Sequence, residues 1–131
     1  LLIDRRMMPG ETEDKVIAQI TEAIEPLMGQ GFKITVEVVN KGWDPYVIDQ
    51  DEQMLKDIVH SYERITGAVP GIRGKGGCTD ASHIFHAGIP VVILGPGSAN
   101  ESHTANEKVL VERIARVAEI YADSAIQYLN R

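Results

Sequence analysis

A short run of aliphatic residues, Val91–Leu94, places the strongest constraint on how this chain of 131 residues can fold. Gly88-Ile89-Pro90 leads into the run, and Gly95-Pro96-Gly97 ends it abruptly. The run has no polar face, which is typical of an inner β-strand that is covered on both sides. Because an inner strand needs neighbours on both edges, the sequence predicts an α/β fold in which this segment belongs to a larger sheet.

The first 40 residues predict a strand, a helix and a second strand. Residues 1–8 form the first of these strands, and the helix follows Thr12, a suitable N-cap. The second strand is predicted over residues 32–38, where apolar residues alternate with Lys33, Thr35 and Glu37. This alternation is typical of a strand with one side facing water.

Three further helices are predicted in the rest of the chain, beyond a domain boundary near residues 41–48. Asp49 and Glu52 have the spacing of a capping box, and the helix behind them stops at Gly67. A short helix runs to Phe85, and the closing helix starts near Thr104. The apolar stripe of that closing helix consists of Leu110, Ile114, Val117, Tyr121, Ala125 and Tyr128.

Charge and composition exclude several classes of partner. The 13 basic and 19 acidic residues give a net charge of −6, which argues against nucleic acid and against an anionic membrane surface. The apolar run Ile89–Leu94 is too short to cross a bilayer. The single cysteine, Cys78, is compatible with a cytoplasmic location. The apolar opening Leu1-Leu2-Ile3, without Met, indicates a piece of a longer polypeptide.

His103 is the strongest candidate for chemistry among the four histidines. It lies nine residues after Leu94, and ligands in open α/β sheets gather beyond the carboxyl ends of strands. Polar neighbours surround it in the sequence, namely Asn100, Glu101, Ser102, Asn106 and Glu107. Alternatively, the segment is a polar loop in which Thr104 and Glu107 form a capping box for the closing helix. The residues alone leave both interpretations open.

Other side chains have a functional and a structural interpretation. His83 and His86, at i and i+3, could chelate a metal or simply face solvent. Cys78, near a helix N-terminus, could act as a nucleophile or serve in packing. The glycine-rich segment 67–77 is a loop in which chemistry is expected, although it lacks the Lys-Ser/Thr ending of a nucleotide-binding P-loop. Arg5 or Arg6 could bind a substrate carboxylate or form a surface ion pair.

Three segments together resemble one family of metal-dependent peptidases and deacylases. Residues 3–11 resemble its "DxR…PGE" strand, and residues 76–81 resemble its "GGTDA" loop, with Cys78 in place of Gly or Thr. Gly95-Pro96-Gly97 and residues 103–107 resemble its "GPG…HxxNE" ending. The family includes acetylornithine deacetylase, succinyl-diaminopimelate desuccinylase, aminoacylase and carboxypeptidase G.

The resemblance implies a fold and a domain organisation. Residues 1–41 would be the second half of a ferredoxin-like α+β lid that forms a homodimer. Residues 42–131 would be the C-terminal part of a zinc-exopeptidase-like α/β/α catalytic domain. The full-length parent would hold two zinc or cobalt ions. Most of their ligands and the general base would lie in a missing N-terminal part of the same polypeptide.

The resemblance also assigns roles to individual residues. His103 matches the last metal ligand, and Arg6 matches the lid arginine that binds a substrate carboxylate. Gly77, Cys78 and Thr79 match a turn that contacts the substrate, and Asn100 lies near a polar substrate contact. No catalytic residue is expected within this chain itself.

The sequence therefore predicts a fragment of a metal-dependent amidohydrolase that removes an acetyl or succinyl group from a small N-acyl amino acid. The chain alone is expected to be inactive. One alternative is a non-catalytic dimerisation or binding module. The other is a cysteine hydrolase that uses Cys78 with His83 or His86.

Overall fold

The computed structural model describes residues 1–98 and 101–130, and its regular secondary structure consists of four α-helices. They are α1 (Glu13–Met28), α2 (Gln53–Thr66), α3 (Ala81–His86) and α4 (Val111–Leu129). None of these helices is both long and apolar enough to cross a lipid bilayer.

The predicted α/β fold is wrong for the described residues, which contain no β-strand. Residues 1–8, 32–38 and 91–94, each predicted as a strand, have no regular structure. The prediction of an α/β/α domain and of an α+β half-lid fails for the same reason. A strand exists only where its backbone groups pair with those of a neighbour, and an apolar or alternating segment does not itself supply that neighbour.

Local capping signals explain where α1 and α2 begin or end. Thr12 is the N-cap of α1, as predicted, and its hydroxyl oxygen accepts a hydrogen bond from the Lys15 backbone N–H at 3.4 Å. Helix α2 stops at Gly67, as predicted, because this residue has a φ of 72° in the left-handed region. Its start differs slightly from the capping-box prediction, since Glu52 rather than Asp49 is the N-cap.

The closing helix begins later than predicted. Helix α4 starts at Val111, with Leu110 as its N-cap, and not near Thr104. The Thr104 hydroxyl donates to the Glu101 carbonyl at 2.8 Å, so it does not cap the helix. The capping-box pattern therefore marks a local turn in a loop.

The chain divides into two units. The first unit, unit 1, comprises Leu1–Val47 and Cys78–Ala87. The Ser82 hydroxyl donates to the Asp44 carbonyl at 2.6 Å, and Tyr46 stacks on Phe85 with ring centroids 4.8 Å apart. These contacts attach α3 to the segment that follows Lys41. The predicted boundary between residues 41 and 42 is not tested by this division and stays a prediction.

The second unit, unit 2, comprises Ile48–Gly77 and the described residues from Gly88 onward, and it is built on the packing of α2 against α4. Ile120 and Ser61 are its most deeply buried residues, with exposed fractions of 1% and 0%. Gln127 Nε2 donates to Ser61 Oγ at 2.9 Å, and Arg64 forms an ion pair with Asp123. Small and polar residues therefore form much of the contact between these helices.

The predicted apolar stripe of α4 is not the face that carries its most buried residue. Ile114, Tyr121 and Tyr128 of that stripe remain 44–49% exposed. Ile120 lies about 100° around the helix from Tyr121. We call Ile114, Tyr121, Ala125 and Tyr128 the outer apolar face of α4.

Candidate functional site

His103 lies in a loop of unit 2, and the described residues of this loop, 95–98 and 101–110, are held by hydrogen bonds among themselves. The Ser98 carbonyl accepts from the backbone N–H groups of Glu101 and Ser102, at 3.1 and 3.2 Å. The His103 backbone N–H donates to Glu107 Oε2 at 3.2 Å. Glu107 therefore holds the backbone at His103. The sequence predicted that Glu107 would hold the start of a helix instead.

The conformation of His103 is unusual. Its φ of 64° lies in the left-handed region, and it is the one non-glycine residue with positive φ in the described part of the chain. Histidine tolerates this region better than most residues do, and strained backbone of this kind clusters at functional sites. The side chain is exposed, and its imidazole makes no hydrogen bond or ion pair with any described residue. Both ring nitrogens are therefore available to a ligand.

The described residues do not make up a metal site among themselves. Within residues 1–98 and 101–130, no group of three His, Cys, Asp or Glu side chains converges in a way that could hold a metal ion. A catalytic zinc ion normally has three protein ligands, and His103 supplies at most one. The described residues therefore do not by themselves form a catalytic metal centre.

The predicted substrate-contacting turn, Gly77 to Thr79, lies at the point where the two units divide. Gly77 and Cys78 are exposed, and Thr79 is half-buried. The Thr79 carbonyl accepts from the Ser82 N–H at 3.3 Å, so this residue leads directly into α3. The Cys78 thiol makes no hydrogen bond with any described residue.

Arg6 and Asn100 complete the set of predicted site residues. Arg6 is exposed in unit 1, and its carbonyl accepts a hydrogen bond from Arg5. Arg5 also donates to Glu11 Oε1 at 2.6 Å. Of the two arginines, Arg5 is therefore the one that forms an ion pair with Glu11. Asn100 lies outside the described residues. The roles assigned to all of these residues stay predictions.

The other two histidine candidates in unit 1 contact aromatic rings. The His83 ring lies edge-on to Trp43 with centroids 6.0 Å apart, and His86 lies edge-on to Phe85 at 5.6 Å. His86 also borders an open pocket of about 480 Å³ that contains none of the predicted site residues. The alternative in which a histidine activates Cys78 therefore gains no support from these contacts.

Comparison with known proteins places the chain in a family. The sequence profile of Peptidase family M20/M25/M40 matches residues 4–127. A deformylase of Bacillus subtilis, which acts on N-formyl-4-amino-5-aminomethyl-2-methylpyrimidine by its name, is 26% identical over 144 residues. This alignment covers 100% of the present chain and 34% of that protein.

Two further relatives also match most of this chain with about a third of their own length. A succinyl-diaminopimelate desuccinylase of Helicobacter hepaticus is 24% identical, over 94% of this chain and 30% of the relative. A metallohydrolase of Methanocaldococcus jannaschii is 21% identical, over 92% of this chain and 32% of the relative. The chain thus spans about a third of the length of the curated relatives it matches.

No solved structure matches the chain significantly. The profile match nevertheless extends over almost all of the sequence and includes all but the first residue of the three segments whose motifs predicted the same relationship. The chain therefore belongs to Peptidase family M20/M25/M40.

Proposed function

We propose that the whole protein carrying this chain is a metal-dependent amidohydrolase that removes an acyl group from a small N-acyl amino acid. The observation that carries the proposal is the family match over residues 4–127. Two relatives are named for the removal of a formyl group and of a succinyl group. We propose an acetyl or succinyl group here, and the related metallohydrolase supports a divalent metal.

Within this chain, His103 is proposed as one metal ligand. An exposed imidazole with both ring nitrogens free of described partners fits that role, and strained backbone such as that at His103 clusters at functional sites. Zinc and cobalt are the proposed ions, because imidazole is a good ligand for zinc and for other first-row metals of similar character. The further ligands and the general base would come from polypeptide outside this chain. When bound, the metal would supply a polarised carbonyl and an acidified water.

Arg6 and the turn from Gly77 to Thr79 are proposed to contact the substrate. A guanidinium group matches a carboxylate with two parallel hydrogen bonds, which suits an N-acyl amino acid. Asn100 is proposed as a further polar contact. We also propose a homodimer in the cytoplasm, formed through residues 1–41.

The test compares His103→Ala with His60→Ala in the full-length protein. His60 is an exposed histidine of α2, so the control removes the same side chain from a helix surface. We expect the His103 variant to lose bound metal by elemental analysis. Hydrolysis of N-acetyl and N-succinyl amino acids should fall by more than about 100-fold. The control should retain both properties.

A normal metal content in His103→Ala would contradict the ligand role. The 131-residue chain alone, supplied with zinc or cobalt, should not hydrolyse either substrate. Activity of that chain that survives a chelator but is lost on alkylation of Cys78 would favour the cysteine hydrolase instead.

A further inference from the structure

Two hydrogen-bonded turns of unit 2 meet at His103. The turn before it is closed by the Ser102 backbone N–H, which donates to the Ser98 carbonyl at 3.2 Å. The turn after it is closed by the Glu107 backbone N–H, which donates to the Thr104 carbonyl at 3.2 Å. His103 therefore occupies the junction of the two turns, and its φ of 64° sets the direction in which the chain passes from one to the other.

Two side chains bridge this junction. The Glu107 carboxylate reaches back over the second turn, where its Oε2 accepts from the His103 backbone N–H at 3.2 Å. The Thr104 hydroxyl donates to the Glu101 carbonyl at 2.8 Å. Each bond joins a residue after the junction to one at or before it, so both bonds oppose a change of backbone conformation there. Of the two, the bond to Glu107 involves the backbone of His103 itself.

The backbone conformation of His103 needs such support. A residue with a Cβ is disfavoured in the left-handed region, so an unsupported residue at this position would return to negative φ. A hydrogen bond from a backbone N–H to a carboxylate is charge-assisted, and its strength is of the same order as the cost of this conformation. Loss of the bond would let the N–Cα bond rotate, and the rotation would carry the imidazole away from its place relative to the preceding turn.

We infer that Glu107 is a positioning residue, which holds the His103 backbone in the conformation that presents the imidazole to a metal ion. The inference rests on the proposed function, in which His103 is a metal ligand. The role of Glu107 requires its bond to the His103 N–H and no contact with the ion. Groups that orient a ligand in this way commonly change metal affinity by about 10- to 100-fold. The affinity falls in proportion to the fraction of molecules that keep the binding conformation.

The test compares zinc binding by the full-length wild type and three variants. Glu107→Ala removes the acceptor of the His103 N–H, whereas Glu107→Gln keeps an amide oxygen that can accept the same bond. Glu101→Ala is the matched control, because it removes a carboxylate from the same loop. The Glu101 side chain makes no hydrogen bond or ion pair with any described residue, and its carbonyl is retained in the variant. Equilibrium dialysis against a series of free zinc concentrations, with elemental analysis, gives the dissociation constants, and circular dichroism checks folding.

We expect Glu107→Ala to raise the dissociation constant of one zinc ion about tenfold. Glu107→Gln and Glu101→Ala should stay within about threefold of the wild type, since both keep an acceptor for the His103 N–H. Unchanged zinc binding in Glu107→Ala would overturn the inference. Equal weakening in Glu107→Gln or in Glu101→Ala would also overturn it, because the effect would then come from charge and not from the hydrogen bond.

A metal-free measurement tests the hydrogen bond itself. Amide hydrogen exchange at His103 is followed by NMR in the full-length protein after the metal has been removed. Exchange should be slow in the wild type and in Glu107→Gln, and about fivefold faster in Glu107→Ala. Unprotected exchange in the wild type would overturn the inference without recourse to any variant.

The His103→Ala variant separates this inference from the proposed function. A normal metal content in His103→Ala would contradict the ligand role, and with it the reason for positioning the residue. Loss of metal in His103→Ala with none in Glu107→Ala would overturn the role of Glu107 alone, and the proposed function would stand.

Discussion

His103 combines an exposed imidazole with a backbone conformation that ordinarily favours glycine. For a residue with a Cβ, the left-handed region costs roughly 1–2 kcal/mol. The hydrogen bond from its N–H to Glu107 helps to hold this conformation. His103 is thus a residue with strained backbone whose side chain makes no hydrogen bond or ion pair with any described residue.

This strain leads to a prediction about stability. His103→Gly should be more stable than His103→Ala by about 1 kcal/mol, because only glycine adopts a φ of 64° without a Cβ clash. Urea unfolding of the two variants measures the difference. Both variants lack the imidazole, so the comparison isolates the backbone. Equal free energies of unfolding would show that the backbone is not strained in solution.

A second prediction concerns Asp51, an exposed residue just before α2. Its hydrogen bond and charge interaction with Lys56, at 2.8 Å, lower the pKa of the Asp51 carboxyl below its ordinary value of 3.8. A lowered pKa in the folded state means that this pair stabilises the fold above pH 3.8. That contribution is lost as pH falls through the folded-state value. An NMR titration should show the pKa of Asp51 rising to its ordinary value in Lys56→Met.

An unchanged pKa of Asp51 in Lys56→Met would mean that the ion pair does not persist in solution. Lys15→Met serves as the control, because Lys15 lies in the other unit of the chain. Its removal should leave the titration of Asp51 as it is in the wild type.

The sequence predicted the residues at helix ends correctly where the responsible interaction lies within one turn of the residue. Thr12 caps α1 and Gly67 ends α2, because a hydroxyl and a missing Cβ act on the adjacent turn. The pattern at Thr104 and Glu107 wrongly predicted a helix start, because the side chains of both residues form hydrogen bonds within a loop.

At the scale of elements, Gly67 and Gly71 offer a matched comparison. An added methyl group meets nothing within 4 Å at either position, but only Gly67 has positive φ, at 72°. Gly67→Ala should therefore destabilise the fold by about 1 kcal/mol. Gly71→Ala should be neutral or slightly stabilising. Thermal or urea unfolding checks both values. Equal effects of the two substitutions would show that the left-handed conformation at Gly67 is not needed to end α2.

The contact of α2 with α4 gives another prediction. Ile120 is 1% exposed, so Ile120→Ala should cost about 3 kcal/mol in the free energy of unfolding. Ile126, on the same helix, is 59% exposed, and Ile126→Ala should cost less than about 1 kcal/mol. Similar losses in the two variants, measured by urea unfolding, would mean that the helices do not pack as described.

The predicted helices are present and the predicted strands are absent from the described residues, for a physical reason. A helix satisfies its backbone within one segment, so the apolar period and caps suffice to find it. The alternation over residues 32–38 does report exposure in part, since Ile34 and Val36 are half-buried whereas Lys33, Thr35 and Glu37 are exposed. Pairing into a sheet depends on a second segment, and no described residue provides it.

At the scale of the whole molecule, the outer apolar face of α4 bears on how this chain behaves when it is purified alone. Hydrophobicity identified this stripe as a core face, but the tightest packing of α4 centres on Ile120 and leaves Ile114 and Tyr121 about half exposed. Contiguous exposed apolar side chains bind apolar dyes and favour association. The isolated chain should therefore bind such a dye and self-associate.

Charge placed on that face should suppress both properties. Ile114→Glu with Tyr128→Glu should lower dye fluorescence by about half and shift the sedimentation profile toward the monomer. Ile126→Glu is the control, because Ile126 is also exposed but lies about 140° around the helix from Tyr121. If the control lowered dye binding as strongly as the double variant, the association would depend on overall apolar exposure. A specific loss in the double variant would show that this face, which the sequence pattern had marked for burial, is the surface on which the chain's association depends.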